Sequence, residues 1–132
     1  MEKLKILIID DDVDLTEALK VILTEARYAV ITASNKTEGM EKIGAERPAL
    51  IILDAMMDTW QDGFEISREL KNNSEFKNIP ILMLTSITER TGVEFKSSAG
   101  DPTWLPVDGF LEKPVESEIL LSEVRKLLRE KQ

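Results

Sequence analysis

Four short apolar runs in this 132-residue chain each end on a charged or hydroxyl-bearing residue, and that pattern narrows the folds open to it. Leu4 to Ile9 runs into Asp10, Asp11 and Asp12, and Leu50 to Leu53 runs into Asp54. Ile79 to Leu84, interrupted by Pro80, runs into Thr85 and Ser86. Phe110 and Leu111 lead through Glu112 to Lys113 and Pro114. If the runs are parallel strands, acids, hydroxyl and ammonium gather at one edge of one sheet. Open α/β sheets build their sites beyond that edge, at the carboxyl ends of the strands.

Between the runs lie amphipathic stretches. After Asp12, Leu15, Leu19, Ile22 and Ala26 share one helical stripe, with Glu17 and Lys20 away from it. Ala29 to Ala33 reads as a second strand, followed by Ser34 and Asn35 as turn and capping residues. Lys36 to Glu46 reads as a helix weakened by Gly39 and broken by Arg47 and Pro48. Leu50 to Leu53 shows no polar alternation, as expected of a central strand covered on both faces. Asp62 to Lys71 reads as a helix carrying Phe64, Ile66 and Leu70, closed by Asn72, Asn73 and Ser74. A last helix spans Glu116 to Lys131, with Leu120, Val124, Leu127 and Leu128 at helical spacing. Ile87 to Asp108 holds Gly92, Gly100, Pro102, Pro106 and an isolated Trp104; beyond a helix within Thr88 to Ser97 it reads as loop. Five βα units in succession imply a parallel sheet with helices on both faces, in a single domain over residues 1–132.

Composition removes several chemistries. With neither cysteine nor histidine, disulfides, thiol chemistry, zinc sites and imidazole acid/base catalysis are all excluded. A metal would have to be held by oxygen, which favours a hard cation such as magnesium. The formal charge of -8 argues against direct nucleic-acid binding. No apolar stretch reaches the length of a membrane span and the amino terminus lacks a secretory pattern, so the cytoplasm is the expected location.

Carboxylates on neighbouring strand ends repel; two unit charges about 4 Å apart cost roughly 4 kcal/mol at an effective dielectric near 20. A bound cation or a raised pKa relieves this. Asp10 to Asp12 could instead serve only as a turn and helix cap, and Asp12 fits the cap. Lys113 taken alone reads as a surface lysine, and Thr85 as an ordinary strand residue. As one spatial set the groups suit phosphoryl transfer, whose transition state is stabilised by positioning and countercharge. Asp54, flanked by the acid pair on one side and Thr85 and Lys113 on the other, would then be the nucleophile, carrying the group as an acyl phosphate.

The stretches KILIIDDD, RPALIILDAMM, DGFEISRELK, IPILMLTS and GFLEKPV, in this order, resemble the receiver domain of two-component response regulators. The resemblance covers nearly the whole chain except Ile87 to Asp108. It implies a doubly wound five-stranded parallel sheet of flavodoxin-like order 2-1-3-4-5. It implies that Asp54 accepts a phosphoryl group from a phosphohistidine on a sensor histidine kinase or phosphotransfer protein. Asp10 and Asp11 match the magnesium-holding acids, completed by Asp54 and the backbone carbonyl of Met56. Thr85 matches the hydroxyl that turns toward the phosphate, Lys113 the phosphate-pairing lysine, and Phe110 the aromatic switch residue. The pattern also suggests a cis bond between Lys113 and Pro114.

The chain departs from the family pattern at four places. Asp58 stands where many members have proline, and the loop from Asp54 to Gly63 is one residue longer and carries Trp60. Gly39 replaces a usual alanine. The segment Ile87 to Asp108 is longer and more irregular than the corresponding output surface of relatives. With Gln132 close behind the last helix, the sequence reads as a stand-alone switch controlling a partner protein whose identity it does not encode. The apolar run Ile119 to Leu121 is compatible with a homodimer surface or with a broad core face. Two other readings stay open: a receiver-like interaction module that never uses its site, and an aspartate-nucleophile phosphatase. The second is disfavoured by Met56, where such enzymes carry another acid. By family logic, Met56 and Ile87 occupy the positions that gate hydrolytic water, and both are apolar. The aspartyl phosphate is therefore expected to be long-lived; loss of label within seconds at neutral pH in a chase experiment would contradict this.

Overall fold

In strand β1 (Lys5–Ile9) the side chains alternate between two cores, and that alternation organises the molecule. Ile6 and Ile8 pack with Leu19 and Leu23 of helix α1 (Val13–Glu25) and with Leu120, Val124, Leu127 and Leu128 of helix α4 (Ser117–Glu130). Leu7 and Ile9 face the other way, against Ile43 of α2 (Lys36–Glu46) and Ile66 and Leu70 of α3 (Trp60–Lys71). The computed structural model describes residues 3–54, 60–85, 107–113 and 115–130; for 60–64, 85 and 129–130 it describes the backbone alone.

The remaining strands are β2 (Ala29–Ala33), β3 (Leu50–Asp54), β4 (Ile81–Thr85) and β5 (Gly109–Glu112). All pairings are parallel, and the order is β2-β1-β3-β4-β5. This is the doubly wound, flavodoxin-like order that the family resemblance implies. The unbroken apolar run of β3 sits at the centre, buried on both faces, as its lack of alternation requires.

Caps fix the helix starts. Asp12 accepts a hydrogen bond from the Leu15 amide, and Asn35 accepts one from Glu38. Glu38 reaches back to the amide and hydroxyl of Ser34, closing a reciprocal cap. Helix α2 ends on Arg47 in the left-handed region at φ 48°. The Arg47 guanidinium pairs with Glu75 and lies 5.9 Å from the centre of the Phe76 ring.

Three details differ from the sequence expectation, in α1, β4 and α3. The buried stripe of α1 is Thr16, Leu19 and Leu23, with Leu15 and Ile22 only partly covered, so the helix is rotated about its axis from the face first read. Strand β4 begins at Ile81 rather than Ile79: Pro80 has no N–H to give, although its carbonyl accepts from Ile51. Helix α3 starts at Trp60, two residues before Asp62. In the run Ile119 to Leu121, Leu120 is buried and Leu121 half-buried, so the core face of α4 accounts for all but Ile119. Of the segment Ile87 to Asp108, only Val107 and Asp108 lie within the described residues.

Gly39 has a packing role that its low helix propensity hides. A Cβ there would sit 2.7 Å from Ile9 Cδ1 and within 3.3 Å of two further Ile9 carbons. The missing side chain lets α2 lie close on β1, directly before Asp10. Gly39→Val is expected to destabilise the protein by about 2 kcal/mol through overpacking against a fully buried Ile9. Urea unfolding measures this, and an unchanged midpoint would contradict the close approach.

Candidate functional site

Each candidate side chain is delivered by the end of a strand. Asp10 directly follows β1, its amide donating to the Ala33 carbonyl of β2 at 3.0 Å. Its carboxylate accepts the Asp12 amide at 2.8 Å, so the turn that caps α1 also orients Asp10. Asp54 is the last residue of β3, in register with Leu84 of β4. Lys113 follows β5, and its Nζ lies 3.2 Å from Asp54 Oδ1 and 3.5 Å from Asp10 Oδ2. Residues separated by 59 and 103 positions in sequence therefore meet at one point.

Asp10 and Asp54 are 3% and 4% exposed, while Asp11 is open to solvent. Oxygens of all three carboxylates lie within 4.8 Å of one another. Burial raises the Asp10 pKa to about 6; the Asp12 amide works against this and the charge of Asp54 adds to it. Burial pulls the Lys113 pKa down, but Asp54 and Asp10 together outweigh it and the net shift is upward, so Lys113 is a firm cation. Among the described residues, three acids and one ammonium leave the pocket negative. An all-oxygen donor set with excess negative charge fits a hard divalent cation such as magnesium.

The other sequence candidates are placed only in part. Thr85 ends β4 opposite Glu112, with its backbone alone described. Phe110 is half-buried on β5, in register with Met83, and packs on the core face shared by α2 and α3. Met56, Asp58, Ile87, Trp104 and Pro114, and with them the carbonyl ligand, the water gate and the cis bond, lie outside the described residues, as does the Trp60 side chain.

Sequence reading missed the Asp12 amide as a support for Asp10. It also missed the contact of Lys71 with Asp108, 37 residues apart. The first could have been inferred from the cap that Asp12 forms; the second carries no local signal.

With this geometry in view, comparison with known proteins gives a consistent result. Residues 6–125 match the response regulator receiver domain, and the chain belongs to that family. It is 36% identical over 129 residues to the response regulator MprA of Mycobacterium ulcerans, covering 95% of this chain and 50% of that protein. The chain spans about half the length of such relatives. Among solved structures, it is similar to the receiver domain of a signal transduction histidine kinase from Syntrophus aciditrophicus. The TM-score is 0.81 at 32% identity, covering 96% of this chain and 90% of that one. A chemotaxis response regulator of Vibrio cholerae superposes with a TM-score of 0.82 at 30% identity, covering 96% and 99%. The protein is thus a receiver domain of the two-component type, with the acidic pocket at which such domains generally bind magnesium. No helix among the described residues is long and apolar enough to cross a membrane.

The raised Asp10 pKa has a definite sign in folding. Its folded value of about 6 exceeds the ordinary 3.8, so its contribution to stability is present below 3.8 and is lost as pH rises through about 6. In chelator, Asp10→Asn is expected to stabilise the protein by about 2 kcal/mol at neutral pH. Asparagine keeps the acceptor for the Asp12 amide. The gain should shrink toward zero as pH approaches 3.8. Urea unfolding across this range tests it; a neutral-pH loss of stability would refute the charge-burial argument.

Proposed function

We propose that the chain is a phosphorylation switch in which Asp54 takes a phosphoryl group from a phosphohistidine on a histidine kinase or phosphotransfer protein. One observation supports this above the others: Lys113 Nζ stands beside Asp54 Oδ1 and Asp10 Oδ2 at the carboxyl ends of their strands.

In the proposed reaction an Asp54 carboxylate oxygen attacks phosphorus, the P–N bond breaks, and the imidazole leaves. Lys113 holds one phosphoryl oxygen as charge spreads over the three equatorial positions. Thr85, at the end of the adjacent strand, offers its hydroxyl to another. Magnesium, when held by Asp10, Asp11, Asp54 and the Met56 carbonyl, supplies countercharge to the phosphoryl oxygens. Asp12 keeps Asp10 aimed into the pocket through its amide.

Phosphorylation replaces the Asp54 carboxylate, one of the two partners of Lys113, with a larger dianion. Thr85 and Phe110 then report the change to the surface around β5 and α4, shifting the population between two conformations. A protein target reads that surface, in the cytoplasm, without direct contact to nucleic acid. The reaction is a self-modification, so the chain acts as a switch rather than as an enzyme with turnover. Of the competing readings, an aspartate-nucleophile phosphatase is disfavoured by Met56, where such enzymes carry a second acid, and a silent interaction module would leave the acidic cluster and its acceptor unused.

Incubation with acetyl phosphate and magnesium is expected to add one phosphoryl group, detected by intact mass. Asp54→Asn should abolish the gain, and Lys113→Ala should slow it by about two orders of magnitude. No mass gain in the wild type, or a gain surviving Asp54→Asn, would reject Asp54 as acceptor.

A further inference from the structure

Strand β5 is the weak member of the sheet that delivers the site. It has four residues, lies at the sheet edge and, among the described residues, pairs with β4 alone. Yet it sets where Lys113 stands. A one-residue slip against β4 would move Lys113 by about 3.3 Å and exchange the faces of Phe110 and Leu111. That displacement matches the whole 3.2 Å reach from Lys113 to Asp54. The packing of Phe110 and Leu111 on opposite cores opposes such a slip, and bonds at the far end of the strand add to that hold.

Asp108, directly before β5, is bonded to Ile81 at the start of β4 in two ways. Its amide donates to the Ile81 carbonyl at 2.9 Å, and its Oδ2 accepts the Ile81 amide at 2.9 Å. The same Oδ2 accepts from Lys71 Nζ at 2.8 Å. Lys71 is the last residue of α3, and its ammonium also donates to the carbonyls of Lys77 and Ile79 at 3.2 Å each. Both side chains of the pair are 19% exposed, so water competes poorly for them. One ammonium thus ties the end of α3, the turn before β4 and the start of β5 together.

We propose that the Lys71–Asp108 pair is a positioning element for phosphoryl transfer: it pins the register of β5 and through it the reach of Lys113 to Asp54. The inference rests on the reading of Asp54 as acceptor. Neither residue touches the reacting atoms. The bland alternative is an ion pair that only adds stability, and the two differ in kinetics.

The test is a double-mutant cycle on the rate of labelling by acetyl phosphate with magnesium, run well below the unfolding transition. Lys71→Met should label about tenfold more slowly than wild type, since small misplacements of a charge-stabilising group are costly. In a Lys113→Ala background the same change should have no further effect, because the group it positions is gone. Asp108→Asn, which keeps an oxygen for the Ile81 amide, should act in the same direction and carries the cycle if Lys71→Met does not fold. A wild-type rate in both variants, or an equal slowing with and without Lys113, would overturn the proposal. Failure of the wild type to label would instead reject Asp54 as acceptor, and the inference with it.

Discussion

Two carboxylates held at adjacent strand ends, with a single ammonium between them, impose the constraint on which the rest of this molecule turns. Asp10 and Asp54 are almost wholly buried, and Lys113 touches both. One cation cannot neutralise two buried anions and a third exposed one, Asp11. Burial, with the charge of Asp54 adding to it, pushes the Asp10 carboxyl up to about 6. A site of this kind is unfavourable by itself, and a bound cation relieves it. Folding energy from elsewhere must hold it open, and the two apolar cores on either side of the sheet supply that energy.

The parallel sheet is a device for delivery. With β1 and β3 adjacent, Asp10 and Asp54 are neighbours by construction, and β5 brings Lys113 across from the edge. The central strand is fixed by burial on both faces, β1 by the close approach of Gly39 to Ile9, and β5 by bonds to β4 and by whatever pins its start. The chemistry therefore depends on contacts at the opposite end of the sheet, among them Asp108 with Ile81 and Lys71.

Most of the architecture was legible in the sequence because period and punctuation agree. The bounds of β2 and α2 coincide with the turn and capping residues around them, and the unalternating run Leu50 to Leu53 marked the centre of the sheet. Asp10, Asp11, Asp54 and Lys113 could be grouped in advance because strand ends share one edge. The order of the strands was not readable from pattern and came with the family resemblance. What stayed hidden was three-dimensional. The sequence of α1 does not say whether Leu15 or Leu23 faces the sheet, since each lies four residues from Leu19, about 40° to either side of it. Gly39 looked like a weakness until Ile9 was seen beneath it, and the Lys71–Asp108 contact joins residues from elements that no local rule connects.

The most direct test of the central claim is a crystal structure with magnesium and beryllium trifluoride, a mimic of the phosphoryl group. The expected result is the mimic on the Asp54 carboxylate, the metal held by Asp10 and Asp11, and Lys113 turned from the carboxylates to a fluorine atom. A mimic bound away from Asp54, or a metal held without Asp10, would contradict the claim that these strand ends form one phosphoryl-accepting pocket.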